Sequence, residues 1–282
     1  MSCLKWAYGV TTVPARRSDL LPRTLTSLEE AGFDKPRLFV DGCGGVETSD
    51  YLDRFGLEVT ARNPAVRCPG NWILALYELY LRNPWHDRYA IFQDDLLAVK
   101  NLRDYLDRSP YPDGKDGRSP GYLNLFTWRS NLLAIPKSPS GTGYQIGWFE
   151  GLEFSNGRIY HGKQQQRGRG AVGLVFNNEA VRVLLTAQHM VDRARDPDHW
   201  HHKLDGGVVE STNKAGWREY VHNPSLLQHT GNLTTMGNNP HPPSPVFPGE
   251  DFDALDLLRA IQPTAPPATQ PPTPQPTEGS NA

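Results

Sequence analysis

The stretch Tyr89-Ala-Ile-Phe-Gln-Asp-Asp-Leu-Leu-Ala-Val99 decides the fold that the sequence predicts. An apolar run that ends in two adjacent carboxylates is typical of a buried strand that carries Asp94 and Asp95 to the edge of a sheet. In an open α/β sheet, ligands collect outside the carboxyl ends of the strands. Carboxylates there suit Mg²⁺ or Mn²⁺, which take one or two from the protein and leave the other positions to water and substrate phosphate. A solvated loop after a core strand is the alternative interpretation.

The segments before this stretch alternate between strand and helix patterns. Trp6–Val13 and Pro36–Asp41 predict strands, and leucines at helical spacing predict a helix over Ser18–Ala31 between them. Gly56–Arg62 predicts a third strand and Asn71–Arg82 a second helix. This alternation indicates a Rossmann-like α/β fold. Neither Gly-x-Gly-x-x-Gly after the first strand nor a P-loop pattern is present, which disfavours dinucleotide cofactors and P-loop chemistry.

The second half of the chain continues the pattern and then changes composition. Tyr122–Trp128 and Ala171–Phe176 predict strands, and Asn178 is expected to cap a helix from Glu179 to about Met190. From Pro263 onward the residues are rich in Pro, Thr and Gln with almost no apolar surface. That composition predicts a disordered tail outside the fold.

Composition limits the class of protein and its partners. The 282 residues are enough to bury a full core, and the three cysteines, Cys3, Cys43 and Cys68, are spaced neither as a disulfide framework nor as a zinc site. No signal peptide or run of eighteen apolar residues appears, so we expect a soluble, cytoplasmic protein with no membrane partner. A net charge of -2 gives no global attraction to nucleic acid. The glycine-rich basic loop Arg158–Arg169 keeps nucleic acid open as an acceptor, with a solvated hairpin tip as the alternative.

The order of these motifs resembles that of the GT-A-fold glycosyltransferases, and within them most of all the N-acetylglucosaminyltransferase IV family. The resemblance covers about residues 6 to 235. It is carried by Thr11-Thr12, Asp41, Asn71, Gln93-Asp94-Asp95, the glycine-led strand Gly170–Phe176, and Pro224-Ser-Leu-Leu-Gln-His229 with the following Gly231. Two departures stand out. Gln93 replaces an acid of the family pattern, and the family's Asp-Trp-Leu-Leu-Asp-like stretch appears only loosely, in Asp198–Asp205.

The resemblance implies a fold and a domain organisation. The fold is a GT-A (Rossmann-like) mixed central sheet flanked by helices, in a single catalytic domain over residues 1–258. Within it, residues 1–100 form a nucleotide-binding half and residues 120–235 an acceptor and metal half. The disordered tail over residues 263–282 follows.

The resemblance also implies a donor, a cation and the residues that hold them. Asp95, with Asp94, meets Mn²⁺ or Mg²⁺ in a DXD-like motif, and His229 supplies a nitrogen ligand. The cation bridges the diphosphate of a UDP-sugar and neutralises the charge on the leaving group. The nucleotide side of the sheet is lined by Thr11, Thr12, Asp41, Arg62 and Asn71. Each of these is also compatible with a structural role, and Asn71 with a helix cap.

Sugar transfer needs a base that takes the proton from the acceptor hydroxyl. Asp205 is the first candidate because Gly206 and Gly207 after it leave room for an acceptor, and Asp198 is the second. A single displacement inverts the anomeric centre. A zinc site at His199, His201 and His202 is disfavoured because adjacent histidines point apart, which favours a polar loop.

Three functions follow from this combination of motifs. The first is a metal-dependent, inverting glycosyltransferase that moves a hexosyl or N-acetylhexosaminyl group from a UDP-sugar to a glycan, a small molecule or a modified nucleic-acid base. The second is a non-catalytic nucleotide-sugar or glycan-binding module on the same fold. The third, a nucleotidyltransferase, is disfavoured because no glycine-rich, basic phosphate loop follows the first strand.

Overall fold

The computed structural model describes residues 4–43, 45–115, 117–151, 154–155, 158–159, 166, 170–196, 204–231 and 242–261. Its strands are β1 (Trp6–Thr12), β2 (Arg37–Asp41), β3 (Val59–Arg62), β4 (Arg88–Gln93), β5 (Leu96–Ala98), β6 (Gly121–Asn124), β7 (Gly147–Glu150), β8 (Phe154–Ser155), β9 (Arg158–Ile159), β10 (Gly173–Asn177), β11 (Arg218–Asn223) and β12 (Leu227–His229). Its helices are α1 (Leu20–Glu30), α2 (Gly45–Phe55), α3 (Arg67–Arg82), α4 (Leu102–Arg108), α5 (Asn178–Leu185), α6 (Gln188–Arg195), α7 (Leu204–Lys214) and α8 (Asp256–Ile261), with 3-10 helices at Pro14–Arg16 and Arg129–Ala134.

One eight-stranded sheet organises the fold, in the order β3-β2-β1-β4-β10-β6-β11-β7. The first four strands are parallel to one another. Strand β10 runs antiparallel to both of its neighbours, β4 and β6. Strand β11 is parallel to β6 and antiparallel to β7. The predicted mixed α/β sheet with a Rossmann-like parallel half is therefore confirmed.

A hydrophobic core lies on each face of this sheet, because successive side chains of a strand point to opposite faces. In β4, Ala90 and Phe92 join one core with α1, α4 and α8, whereas Tyr89 and Ile91 join the other with α3, α5 and α7. Helices therefore cover both faces of the sheet. A ligand can reach the parallel half only at the ends of its strands. The continuous apolar pattern of β4 is the expected result of burial on both faces.

Three predicted helix boundaries differ from the observed ones. Helix α3 begins at Arg67, with Pro69 in its first turn, so Asn71 lies inside the helix and is not its cap. The cap of α5 is Asn177, whose side chain accepts a hydrogen bond from Ala180 N at 2.7 Å, and not Asn178. The predicted helix to Met190 is broken at Thr186 and Ala187 into α5 and α6.

The predicted tail over residues 263–282 lies outside the described residues. None of the helices in the described ranges is long and apolar enough to cross a membrane.

A buried carboxyl in the sheet makes stability depend on pH. Glu219 on β11 is 2 % exposed and accepts hydrogen bonds from Asn124 Nδ2 at 3.0 Å and Tyr122 Oη at 3.2 Å. Both donors contact Oε1, and Oε2 has no hydrogen-bond partner among the described residues. Burial, with a smaller contribution from the charge of Asp205, raises the pKa of Glu219 to about 8. The folded protein therefore keeps a proton that the unfolded chain releases.

Substituting Glu219→Gln is expected to stabilise the protein above neutral pH. Because the folded-state pKa of Glu219 is raised, its contribution to stability is complete in acid and is lost as the pH rises to about 8. The glutamine keeps the shape and the acceptor oxygen without this loss. Urea unfolding at about pH 5.5 and about pH 8.5 should show a gain that is larger at the higher pH by on the order of a few kcal/mol. The exposed Glu179→Gln is the control, and equal effects at both pH values would contradict the expectation.

Candidate functional site

A cavity of about 160 Å³ lies at the carboxyl ends of the parallel strands β1, β2 and β4. It is lined by eight of the ten residues that the sequence singled out, namely Thr11, Thr12, Asp41, Asn71, Asp94, Asp95, Asp205 and His229. These residues come from segments that are up to about 220 positions apart in the chain. The strand ends gather them because parallel neighbours finish at the same edge of the sheet.

Asp95 and His229 meet through a separate two-stranded sheet beside this edge. Strands β5 and β12 pair antiparallel, with His229 opposite Leu96, so the histidine lies next to the residue before Leu96. His229 Nε2 is 3.3 Å from Asp95 Oδ2, and Thr230 N donates to the Asp95 carbonyl at 2.8 Å. A Cβ on Gly231 would lie 2.5 Å from Asp95 Oδ2. Only glycine therefore lets the chain after His229 pass so close to the carboxylate.

The two adjacent carboxyls have opposite electrostatic environments. Asp94 Oδ2 accepts a hydrogen bond from Thr12 Oγ1 at 2.6 Å, and burial together with the charge of Asp95 raises the pKa of Asp94 to about 6. Burial also acts on Asp95, but His229 and Arg16 outweigh it and lower the pKa of this carboxyl. Asp95 is therefore the carboxylate that stays charged across the neutral range.

Asn71, which the sequence analysis assigned to the nucleotide side, has a buried polar atom without a partner among the described residues. Asn71 is 1 % exposed, and its Nδ2 donates to the Phe39 carbonyl at 2.8 Å. The residue lines the cavity, and its Oδ1 has no hydrogen-bond partner among the described residues. A buried carbonyl of this kind is costly unless a ligand donates to it. Asn71 is thus suited to receive an N–H or hydroxyl from a nucleotide.

Asp41 and Thr11 also line the cavity, but the protein itself uses part of their hydrogen-bonding capacity. Asp41 Oδ1 accepts from Val66 N at 2.7 Å, just before α3 begins. Burial raises the pKa of Asp41, and the backbone N–H groups of Val66 and Arg67 partly offset the effect. Thr11 Oγ1 donates to the Phe92 carbonyl at 3.2 Å. Both side chains therefore brace the edge of the sheet as well as lining the site.

Arg62, predicted on the nucleotide side, is not among the residues that line the cavity. Its guanidinium pairs with Glu78 at 3.3 Å and lies over the Phe39 ring, 5.7 Å from the ring centroid. Other predicted contributors lie outside the described residues. These are Asp198, His199, His201, His202 and, apart from the short strand β9 and residue 166, the basic loop Arg158–Arg169.

Asp205 enters the cavity from the first turn of α7. Its Oδ2 accepts a hydrogen bond from Gly170 N at 2.9 Å, which links it to the segment before β10. The expectation that Gly207 leaves room for an acceptor is wrong. A Cβ there would collide with the His189 ring of α6, so this glycine serves the packing of two helices. The cavity lies on the Asp205 side of the turn instead.

The lining also contains side chains to which the sequence analysis gave no role, among them Arg16, Cys68, Phe126 and Trp128. Arg16 is 7 % exposed and its Nη1 is 3.3 Å from Asp95 Oδ2. The half-buried Cys68 lies among the acids, and its burial, followed by the charges of Asp94, Asp95, Asp205 and Asp41, raises the thiol pKa to about 12. Phe126 and Trp128 form an aromatic wall, with ring centroids 6.1 Å apart. The sequence holds no signal for the direction of the Arg16 side chain.

The donor set fits a hard divalent cation that takes only a few protein ligands. Asp95 Oδ1 is buried and has no hydrogen-bond partner among the described residues, and the His229 ring lies beside the same carboxyl group. The described part of the chain contains no group of three or more His, Cys, Asp or Glu side chains placed to hold a metal. A closed, all-protein site is therefore disfavoured there. Magnesium-like ions instead complete their shell with water and substrate phosphate.

Comparisons with known proteins give similarity in structure alone. No protein-family model and no curated protein sequence matches the chain. One of 244 matching solved chains, described as a mannose-1-phosphate geranyltransferase from Thermus thermophilus, aligns with a TM-score of 0.44 and 12% identity over 78% of this chain and 74% of that one. Another, described as a glucose-1-phosphate thymidylyltransferase from Bacillus anthracis and solved with a sucrose, has a TM-score of 0.41 and 9% identity over 79% of this chain and 89% of that one. The resemblance to the N-acetylglucosaminyltransferase IV family gains no support from these comparisons and stays a prediction.

Proposed function

We propose that this protein is a metal-dependent, inverting glycosyltransferase that moves a sugar from a UDP-sugar to an acceptor hydroxyl. The observation that carries the proposal is the meeting of Asp95, His229 and Asp205 in one cavity at the carboxyl edge of the parallel strands. A charged carboxylate beside an imidazole suits a cation, and a second carboxylate in the same cavity suits a base. In sugar transfer, a cation can stabilise the departing diphosphate and a base can take the proton of the attacking hydroxyl.

On the donor side, Asp95 and His229 would hold Mn²⁺ or Mg²⁺, which supplies positive charge to the departing diphosphate. Thr12 holds the Asp94 carboxyl beside them through its 2.6 Å hydrogen bond. Asn71 Oδ1, which is buried and has no hydrogen-bond partner among the described residues, accepts a hydrogen bond from the nucleotide. This contact orients the donor against the edge of the sheet.

On the acceptor side, Asp205 removes the proton from the attacking hydroxyl. The Gly170 N–H holds one carboxylate oxygen at 2.9 Å and so restricts the rotation of the side chain. The hydroxyl oxygen bonds to the anomeric carbon as the bond to the diphosphate breaks, and the proton passes to Asp205. The aromatic wall of Phe126 and Trp128 gives the same cavity an apolar surface on which a sugar or a base could stack.

A non-catalytic nucleotide-sugar or glycan-binding module is the second candidate. Gln93 lines the cavity where the resembling family has an acid, and Arg16 pairs with Asp95. Both features lower the negative charge available to a cation. A module of this kind would bind the donor without turning it over.

Titration calorimetry of UDP with and without Mn²⁺, followed by a hydrolysis screen of UDP-sugars, tests the proposal. We expect binding that requires Mn²⁺ or Mg²⁺, and slow hydrolysis of at least one UDP-sugar with water as the acceptor. Binding without any turnover would favour the module. Release of pyrophosphate from UTP and a sugar 1-phosphate, with no UDP-sugar hydrolysis, would replace transfer of a sugar by transfer of a nucleotidyl group.

A further inference from the structure

Arg16 is the single arginine or lysine that lines the cavity within the described ranges of the chain. It is the last residue of the 3-10 helix Pro14–Arg16, which is separated from β1 by Val13 and has Pro14 in its first turn. The short helix turns the Arg16 side chain inward, where it is 7 % exposed. By contrast, the next residue, Arg17, is directed outward to Asp50 at 3.0 Å. A permanently charged guanidinium is therefore held at the carboxyl edge of the sheet.

The Arg16 guanidinium contacts Asp95, the carboxylate to which the proposed function assigns a cation. Arg16 Nη1 and His229 Nε2 each lie 3.3 Å from the same oxygen, Asp95 Oδ2. The pairing is buried on both sides, so solvent screens it little. An arginine in this place neutralises the charge that would attract a divalent ion. Arg16 and the cation therefore compete for Asp95.

A diphosphate entering the cavity meets mostly negative charge. Four carboxyls line the walls, namely Asp41, Asp94, Asp95 and Asp205, against one guanidinium. The planar fork of arginine matches two phosphate oxygens and forms short, charge-assisted hydrogen bonds with them. Among the lining residues of the described chain, Arg16 is thus the side chain best suited to contact the phosphates of a donor.

We propose that Arg16 exchanges partners when the donor binds, moving from Asp95 to the diphosphate as the cation takes its place on Asp95. The inference rests on the proposed function, because it assumes a nucleoside diphosphate and a divalent ion in this cavity. Arg16 then has opposite effects on the two ligands. It weakens binding of the cation alone and strengthens binding of the nucleotide in the presence of the cation.

The Arg16→Gln variant tests the exchange through two affinities of the full chain. Mn²⁺ alone, followed by the paramagnetic signal of the free ion, is expected to bind the variant about tenfold more tightly than the wild type, because the competing charge is gone. UDP at saturating Mn²⁺ is expected to bind about tenfold to a hundredfold more weakly, because the phosphate contact is gone. A merely structural role for Arg16 would weaken both affinities by disturbing Asp95.

Two further variants keep the test decisive. Arg17→Gln, on the outward-facing neighbour, should change neither affinity. Arg16→Lys keeps the positive charge but loses the planar fork of the guanidinium. It should bind Mn²⁺ as the wild type does and UDP more weakly. This variant replaces Arg16→Gln in the test if Arg16→Gln does not fold. Unchanged or weaker Mn²⁺ binding by Arg16→Gln, or unchanged UDP binding, would overturn the exchange alone. A wild type that binds no UDP with Mn²⁺ would overturn the proposed function itself.

Discussion

The Asp95→Ala variant is expected to hydrolyse UDP-sugars at least about a thousandfold more slowly than the wild type. Asp95 is the buried carboxylate with a lowered pKa, so its loss removes the charge that attracts a cation. The same change leaves Arg16 and His229 inside the cavity without the oxygen that both contact at 3.3 Å. UDP binding should lose its dependence on Mn²⁺. Titration calorimetry and a coupled assay of UDP release measure the two effects.

Asp95→Asn separates the loss of charge from the loss of volume. Asparagine keeps the shape of the side chain and an oxygen that can face Arg16. The Asp95→Asn variant should therefore fold even if Asp95→Ala does not. The control is Asp251→Ala, an exposed carboxylate that pairs with Lys100 on the surface. Retention of Mn²⁺-dependent UDP binding in a folded Asp95→Asn variant would rule out Asp95 as a ligand.

The Asp205→Asn variant is expected to lower kcat by about a hundredfold to ten-thousandfold while UDP binds as tightly as before. Asparagine can still accept the Gly170 N–H bond, so the start of α7 should keep its place. It cannot take a proton from the attacking oxygen, whether that belongs to water or to an acceptor. The measurement is the rate of UDP-sugar hydrolysis at saturating donor and Mn²⁺, beside calorimetry of UDP.

Asp198, the second candidate base, provides the comparison for this experiment. Asp198→Asn, changed in parallel, should leave kcat within about threefold of the wild type if Asp205 is the base. The reverse pattern would transfer the role to Asp198. A loss of UDP affinity in Asp205→Asn would instead place this carboxyl on the donor side of the cavity.

The parallel half of the fold was predictable because its signals are local. Continuous apolar runs such as Tyr89–Phe92 report burial on both faces of a sheet, and carboxylates that follow them mark the strand ends. The helices α2 and α7 were missed, since glycine residues near their first turns lower the intrinsic helix signal and burial against the sheet overrides it. The one-residue shift of the cap from Asn178 to Asn177 reflects two adjacent residues of the same type.

In the candidate site, too, the features that depend on local sequence were predictable and those that depend on distant contacts were not. The positions of residues at strand ends follow from the order of the elements. Because the first four strands of the sheet are parallel, Thr12, Asp41 and Asp94 lie at the same edge of the sheet. Side-chain direction does not follow from sequence, which is why Arg62 turned to Glu78 and Arg16 turned to Asp95. The contact between His229 and Asp95 needs an antiparallel pairing across more than a hundred residues, and only the resemblance to a known family pointed to it.

The insertion of β10 between β4 and β6 has a consequence for any attempt to divide the protein. Strand β10 hydrogen-bonds to β4 through Gly173–Asn177 and to β6 on its other side, so residues 1–100 and 120–235 share one ladder. A fragment made of the first hundred residues would expose the backbone of β4, which is buried on both faces and apolar. Such an unpaired edge invites aggregation. The two predicted halves, residues 1–100 and 120–235, are therefore better regarded as one cooperative folding unit than as modules that could be expressed, swapped or hinged separately.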